Sequence, residues 1–151
     1  GRKEQINFFE KLINLCREDN QKIISIHSRG AVSDVLEVIG EQYQFHPILH
    51  WFSGKRVELE LAIERGYYFS LNKSMLKSSK FTSMLPCIPT NRILLETDSP
   101  FIEMKEGYAN SLEMTVEILS SLLHKDKEEM KHELWENFKN LLYASKQCVV
   151  P

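Results

Sequence analysis

The chain has 151 residues, 42% hydrophobic and 26% charged, with a formal net charge of −2. That is one domain's worth of an ordinary globular composition, long enough for a real core. The charge excludes a whole-molecule basic field for nucleic acid, so any phosphate-binding surface must be local.

The chain opens "GRKEQINFFEKL", without Met and already in a helical pattern, and a longer parent protein is therefore expected. Ile6, Phe9, Ile13 and Cys16 make residues 2–18 an amphipathic helix. "KIISIH" (22–27) is a short β-branched run and reads as a strand. Val32, Val35, Leu36 and Ile39 form the next helical stripe, stopped near Gly40. "PILHWF" (47–52) is a second strand, and Leu59, Ala62 and Ile63 mark a helix closed by Gly66. "YYFSL" (67–71) is a third strand, a Ser/Lys-rich helical segment spans about 74–85, and "RILLET" (92–97) is a fourth strand. Helices follow over roughly 111–124 and 126–146. The last carries Met130, Leu134, Phe138, Leu141 and Leu142 on one face, and Asp126 with Glu129 offers a capping box at its start. No linker or low-complexity stretch interrupts the chain, so residues 1–151 read as a single domain.

Strand and helix alternate at βα-unit length, which argues for parallel strands with crossover helices. The spacing fits a doubly wound sheet or a (β/α) barrel. A barrel needs eight units and about 200–250 residues. Four units are present, so the expected fold is α/β, the C-terminal half of a TIM-type (β/α)8 barrel.

Cys16, Cys87 and Cys148 lie far apart with no C-x-x-C pair, which reads as reduced thiols in an intracellular, cytoplasmic protein. No apolar run is long enough for a membrane span, and no membrane partner is expected.

Three strands end in a possible metal ligand: His27, His50 and Asp98. In parallel α/β architecture, sites form at the carboxyl ends of the strands. Glu96 and Asp98 share the face of Leu94, and burying an unpaired carboxylate costs several kcal/mol or more. A divalent cation among His27, His50 and Asp98 would compensate, with Glu96 one layer deeper orienting a ligating imidazole. Imidazole and carboxylate suit Zn²⁺, and a carboxylate-rich site admits Mn²⁺ or Mg²⁺. Each residue has a plainer reading: a strand-end His can be a satisfied rim residue, and Asp98-Ser99-Pro100 can be a simple turn.

"SIHSRGA" (25–31), "ILHWFSG" (48–54), "GYYFSL" (66–71) and "RILLETDSPF" (92–101) occur in the order and spacing of TatD-family metal-dependent nucleases, which the chain resembles. The resemblance runs through residues 22–102. It implies an amidohydrolase-like barrel with one or two divalent ions. In it His27 and His50 match the two histidines of one metal position. Asp98 matches the strand-eight aspartate that ligates the other metal and handles the proton of the attacking water. Glu96 matches the acid of the E-T-D motif, behind the ligands. The family's strand-one His-x-His pair and bridging Glu have no counterpart here, and Asn110 stands without the Pro of a later Asn-x-Pro pattern. The opening "GRKEQINFFEKLINLC" most resembles the TatD-like member of Qat anti-phage defence systems, implying defence-system subunits as partners.

For a DNA substrate, Arg29 suits a phosphate oxygen. Lys73, Lys77 and Lys80, at i, i+4 and i+7, would project from one side of a helix beside the mouth. Trp51 and Phe52 could stack on a base but read chiefly as packing residues, Phe52 on the face of His50 and Trp51 against outer helices. Tyr67, Tyr68 and Phe69 read as core; His46, His124 and His132 read as surface. No base-reading motif is present, so recognition would follow strand ends or single-strandedness. The competing readings are an inactive partner-binding subunit and an amidohydrolase acting on a C–N bond.

Overall fold

The apolar periodicity folds as expected at the amino end of the computed structural model, which describes residues 1–18, 22–41, 47–102, 105 and 107–146. Helix α1 (Arg2–Glu18) buries Ile13 and half-buries Ile6, Phe9 and Cys16. Then follow β1 (Ser25–His27), α2 (Val32–Ile39), β2 (Ile48–His50), α3 (Arg56–Glu64) and β3 (Tyr68–Leu71). Two single-turn helices, α4 (Lys73–Leu76) and α5 (Ser79–Thr82), and two 3-10 turns lead into β4 (Ile93–Leu95). Helices α6 (Tyr108–Leu122) and α7 (Lys127–Lys146) complete it. His46 and Cys148 lie outside the described residues, while His124 and His132 are exposed.

All four strands are parallel, in the order β1-β2-β3-β4. A doubly wound sheet reverses its strand order at a switch point, whereas a barrel runs sequentially. The sequential order selects the barrel. The pairing places Ile26, Leu49, Phe69 and Ile93 in one row and His27, His50, Ser70 and Leu94 in the next.

These rows face opposite sides. Ile26, Leu49, Phe69 and Ile93 belong to the main core, with Leu36, Ile39, Leu59, Ala62 and Leu119. Leu49, Phe69 and Ile93 are fully buried, and each such side chain contributes about 1.5–3 kcal/mol. On the other face, Tyr68 and Leu94 form a smaller cluster with Leu141 of α7, flanked by Ile23 and Ile48. That is the barrel-interior side, and it carries His50.

Three sequence expectations change. The 74–85 segment is two helices because Asn72 caps the first and Ser78 starts the second, its hydroxyl accepting from Phe81 N–H. Lys73, Lys77 and Lys80 therefore do not form a stripe on one continuous helix. Phe52 lies in the main core, edge-on to Phe69 at 5.8 Å, on the face opposite His50. The cause is Trp51, whose φ of 44° breaks the alternation of the strand. On α7, the buried row is Met130, Leu134, Asn137 and Leu141, while Phe138 is 43% exposed. Asn137 takes the inward place because its amide donates to the carbonyls of Thr90 (2.7 Å) and Ile93 (2.8 Å). Those bonds fasten α7 to the start of β4.

The cap of α7 is Asp126, whose carboxylate accepts from the amides of Glu128 and Glu129 at 2.9 and 3.1 Å. Behind it Lys125 pairs with Glu133, which also accepts the Thr90 hydroxyl. Among the described residues no helix is long and apolar enough to cross a membrane.

Candidate active site

The parallel register sets His27 directly beside His50 at the carboxyl ends of β1 and β2. Their rings lie 5.3 Å apart, tilted by 43°. His27 is exposed at the rim, whereas the His50 side chain is only 21% exposed. The ladder continues one residue past β4, with Glu96 N–H donating to the Leu71 carbonyl, so Glu96 points to the same side as His50.

Glu96 is 10% exposed at its side chain, and three groups meet its carboxylate. His50 Nδ1 donates to Oε2 at 2.5 Å, and the Ser70 hydroxyl donates to the same oxygen. Asn72 Nδ2 donates to Oε1 at 2.9 Å. Asn72 is itself buried, because its Oδ1 caps α4 by accepting from the amides of Ser74 and Met75 at 3.0 Å. The carboxylate is thus fully met by hydrogen bonds, which is what makes its burial tolerable.

Beyond Glu96 the chain turns sharply, with Asp98 at φ 54°. Aspartate tolerates this left-handed region better than most residues. The turn brings Asp98 Oδ1 to 3.0 Å from His50 Nε2, with the Asp98 side chain 15% exposed. Both ring nitrogens of His50 therefore meet carboxylates from the same strand end.

His27, Arg29, His50, Trp51, Ser53, Asp98 and Phe101 line one pocket of about 780 Å³. Arg29 is exposed at its edge. Of the three lysines, Lys80 reaches this wall by donating to the Ser53 carbonyl at 3.2 Å. Lys77 is exposed where α4 ends, and Lys73 is half-buried at its start.

The donors fit a divalent cation in kind. With Nδ1 committed to Glu96, His50 has one nitrogen left for a ligand bond, and it already faces Asp98 Oδ1. Among the described residues, however, no three His, Cys, Asp or Glu side chains are grouped so as to hold a metal ion. The convergent donors are His50 and Asp98, with His27 alongside.

Ser70 and Asn72 escaped the sequence reading because neither is a metal ligand by type. Asn72 did leave a signal, as a polar residue between a strand and "KSML", the usual position of a helix cap.

The family model described as TatD related DNase matches residues 1–143. The chain belongs to the TatD family. Deoxyribonuclease Tat-D of Schizosaccharomyces pombe is 25% identical to it over 151 residues, covering 78% of this chain and 48% of that protein. The TatD protein of Citrobacter rodentium, named a 3'-5' ssDNA/RNA exonuclease, is 29% identical over 103 residues, covering 65% and 39%. Among solved structures, a hydrolase TatD family protein from Entamoeba histolytica superposes with a TM-score of 0.74 at 17% identity, over 93% of this chain and 57% of that one. At that identity the superposition speaks to fold, and the fold is part of a (β/α)8 barrel. The matches cover about half or less of the two named TatD relatives.

Proposed function

We propose that the chain is the carboxyl-terminal half of a divalent-metal-dependent TatD-type deoxyribonuclease, folded as one domain over residues 1–151. The observation that carries this reading is His50, held by Glu96 at Nδ1 and facing Asp98 at Nε2, beside His27 at the strand ends. His27, His50 and Asp98 would hold Mg²⁺, Mn²⁺ or Zn²⁺, one or two ions, with the remaining ligands supplied by the other four βα units. Such an ion supplies charge neutralisation at a phosphodiester and lowers the pKa of a water beside it. The chain's own residues do the rest. Glu96 fixes the tautomer and orientation of His50. Asp98 accepts the proton of the attacking water at a carboxylate oxygen. Arg29 receives a phosphate oxygen, and Lys80 adds charge at the same wall.

Single-stranded DNA or strand ends are the proposed substrate, in keeping with the exonuclease name of the Citrobacter relative. A cytoplasmic location rests on the widely spaced cysteines, and a place among anti-phage defence subunits on the opening helix with "KIISIHSRGA" and "HWFSG". A second reading, a partner-binding subunit without catalysis, draws on the absence of a three-residue metal group among the described residues.

The test is release of nucleotides from single-stranded DNA in Mg²⁺ or Mn²⁺. Parent protein that includes the other four βα units should release them, and Asp98→Asn in that protein should lose about 10²–10⁴-fold in rate. Equal digestion by both proteins sinks the mechanism, and digestion by neither favours the binding subunit.

A further inference from the structure

We propose that Trp51 and Phe101 form the stacking walls of a subsite for one unstacked nucleobase, in the pocket that holds His27, His50 and Asp98; this rests on the nuclease reading above. Phe101 is 87% exposed, the most exposed of the large hydrophobic side chains described. Leaving such a ring in water forgoes about 1.5–3 kcal/mol that burial would contribute. Trp51 carries a cost of another kind. A bulky residue at φ 44° sits in a disfavoured backbone region, and such strain persists only where surrounding structure holds it. Both costs fall on the same pocket.

The rest of the lining says what would bind there. Arg29 is cationic and exposed at the edge, and Lys80 reaches the wall through the Ser53 carbonyl. Aromatic faces next to positive charge match a base attached to its phosphate. The pocket's volume of about 780 Å³ leaves room for a nucleotide. A base seated between the two rings would bring its phosphodiester toward Asp98, which would make Trp51 and Phe101 positioning residues for cleavage.

The experiment uses Trp51 as its reporter. The chain has two tryptophans, and Trp135→Phe leaves Trp51 alone. Its fluorescence is titrated with single-stranded oligothymidylate carrying phosphorothioate linkages, and with an abasic strand of equal length. The base-containing strand should quench Trp51 and bind about 5- to 150-fold more tightly than the abasic one, the range for one stacked base. Phe101→Ala should erase most of that difference and Phe101→Tyr should restore it. Equal affinity for the two strands, or a Phe101→Ala protein that discriminates as well as wild type, overturns the subsite. Asp98-dependent hydrolysis, measured in parallel, separates the outcomes: if it survives while discrimination is absent, the subsite fails and the nuclease reading stands.

Discussion

His50 Nδ1 and Glu96 Oε2 lie 2.5 Å apart, and this contact joins the second strand of the sheet to the fourth across the third. Ser70, on the strand between them, donates to the same carboxylate oxygen. An acid in the midst of an apolar strand end is thereby made a support for an imidazole. The ring cannot rotate freely, and its Nε2 is aimed at Asp98.

Glu96→Gln should therefore weaken metal binding without unfolding the protein. Loss of a hydrogen-bonded carboxylate behind a ligating histidine costs about 10–100-fold in affinity. Titration calorimetry with Mn²⁺ or Zn²⁺ measures it directly. An unchanged dissociation constant would mean that Glu96 serves the fold alone.

Asn137→Ala should destabilise the chain by about 2 kcal/mol. It strips two backbone carbonyls, those of Thr90 and Ile93, of a buried donor, and each orphaned group costs about 1–3 kcal/mol before relaxation. A fall in the urea midpoint without a change in slope is the expected record. Phe138→Ala, at an exposed position one residue on, should cost less.

Glu133 gives a pH signature. Burial pushes its carboxyl up, but the Lys125 ammonium and the Thr90 hydroxyl outweigh that, and the group lies below its ordinary value of 4.5. A lowered folded-state pKa means that the stabilisation is complete above the unfolded value and is lost as pH falls through the folded one. Wild type should thus lose stability below about pH 4.5 more steeply than Glu133→Gln. Parallel acid limbs in thermal melts at stepped pH would remove Glu133 from the account.

The basic residues should divide by position. Arg29→Ala and Lys80→Ala should each reduce the salt dependence of DNA binding, by about one unit of slope in a log–log plot. Lys77, exposed at the end of α4, is away from the pocket lining and its replacement should leave the slope unchanged. An effect at Lys77 equal to that at Lys80 would restore the lysine stripe.

What could be read from the residues and what could not follow a physical line. The strand ends at His27, His50 and Leu71, and the burial of Val32, Val35, Leu36 and Ile39, were visible because period 2 and period 3.6 are local properties. The partners of Glu96 were not, because Ser70 and Asn72 reach it through strand pairing, which no local pattern records. Phe52 was assigned to the wrong face because one left-handed residue, Trp51, resets the alternation after His50. The break at Ser78 went unseen because a serine inside a lysine-rich run fits a helix interior or a cap equally well. Asn137 displaced Phe138 from the buried row for a reason that lies forty-odd residues away, in two carbonyls needing a donor.

The pairing of β1 with β2 carries one more consequence. His27 stands opposite His50, and Ile26 opposite Leu49, so the same ladder aligns the imidazoles and the layer beneath them. A slip of one residue would set Leu49 against His27 and turn His50 away from Glu96, while pushing an aliphatic side chain out of the interior. Misregistered chains would then lose compactness along with the site. Folding errors of that kind should be cleared as unstable species rather than persist as well-packed but inert protein.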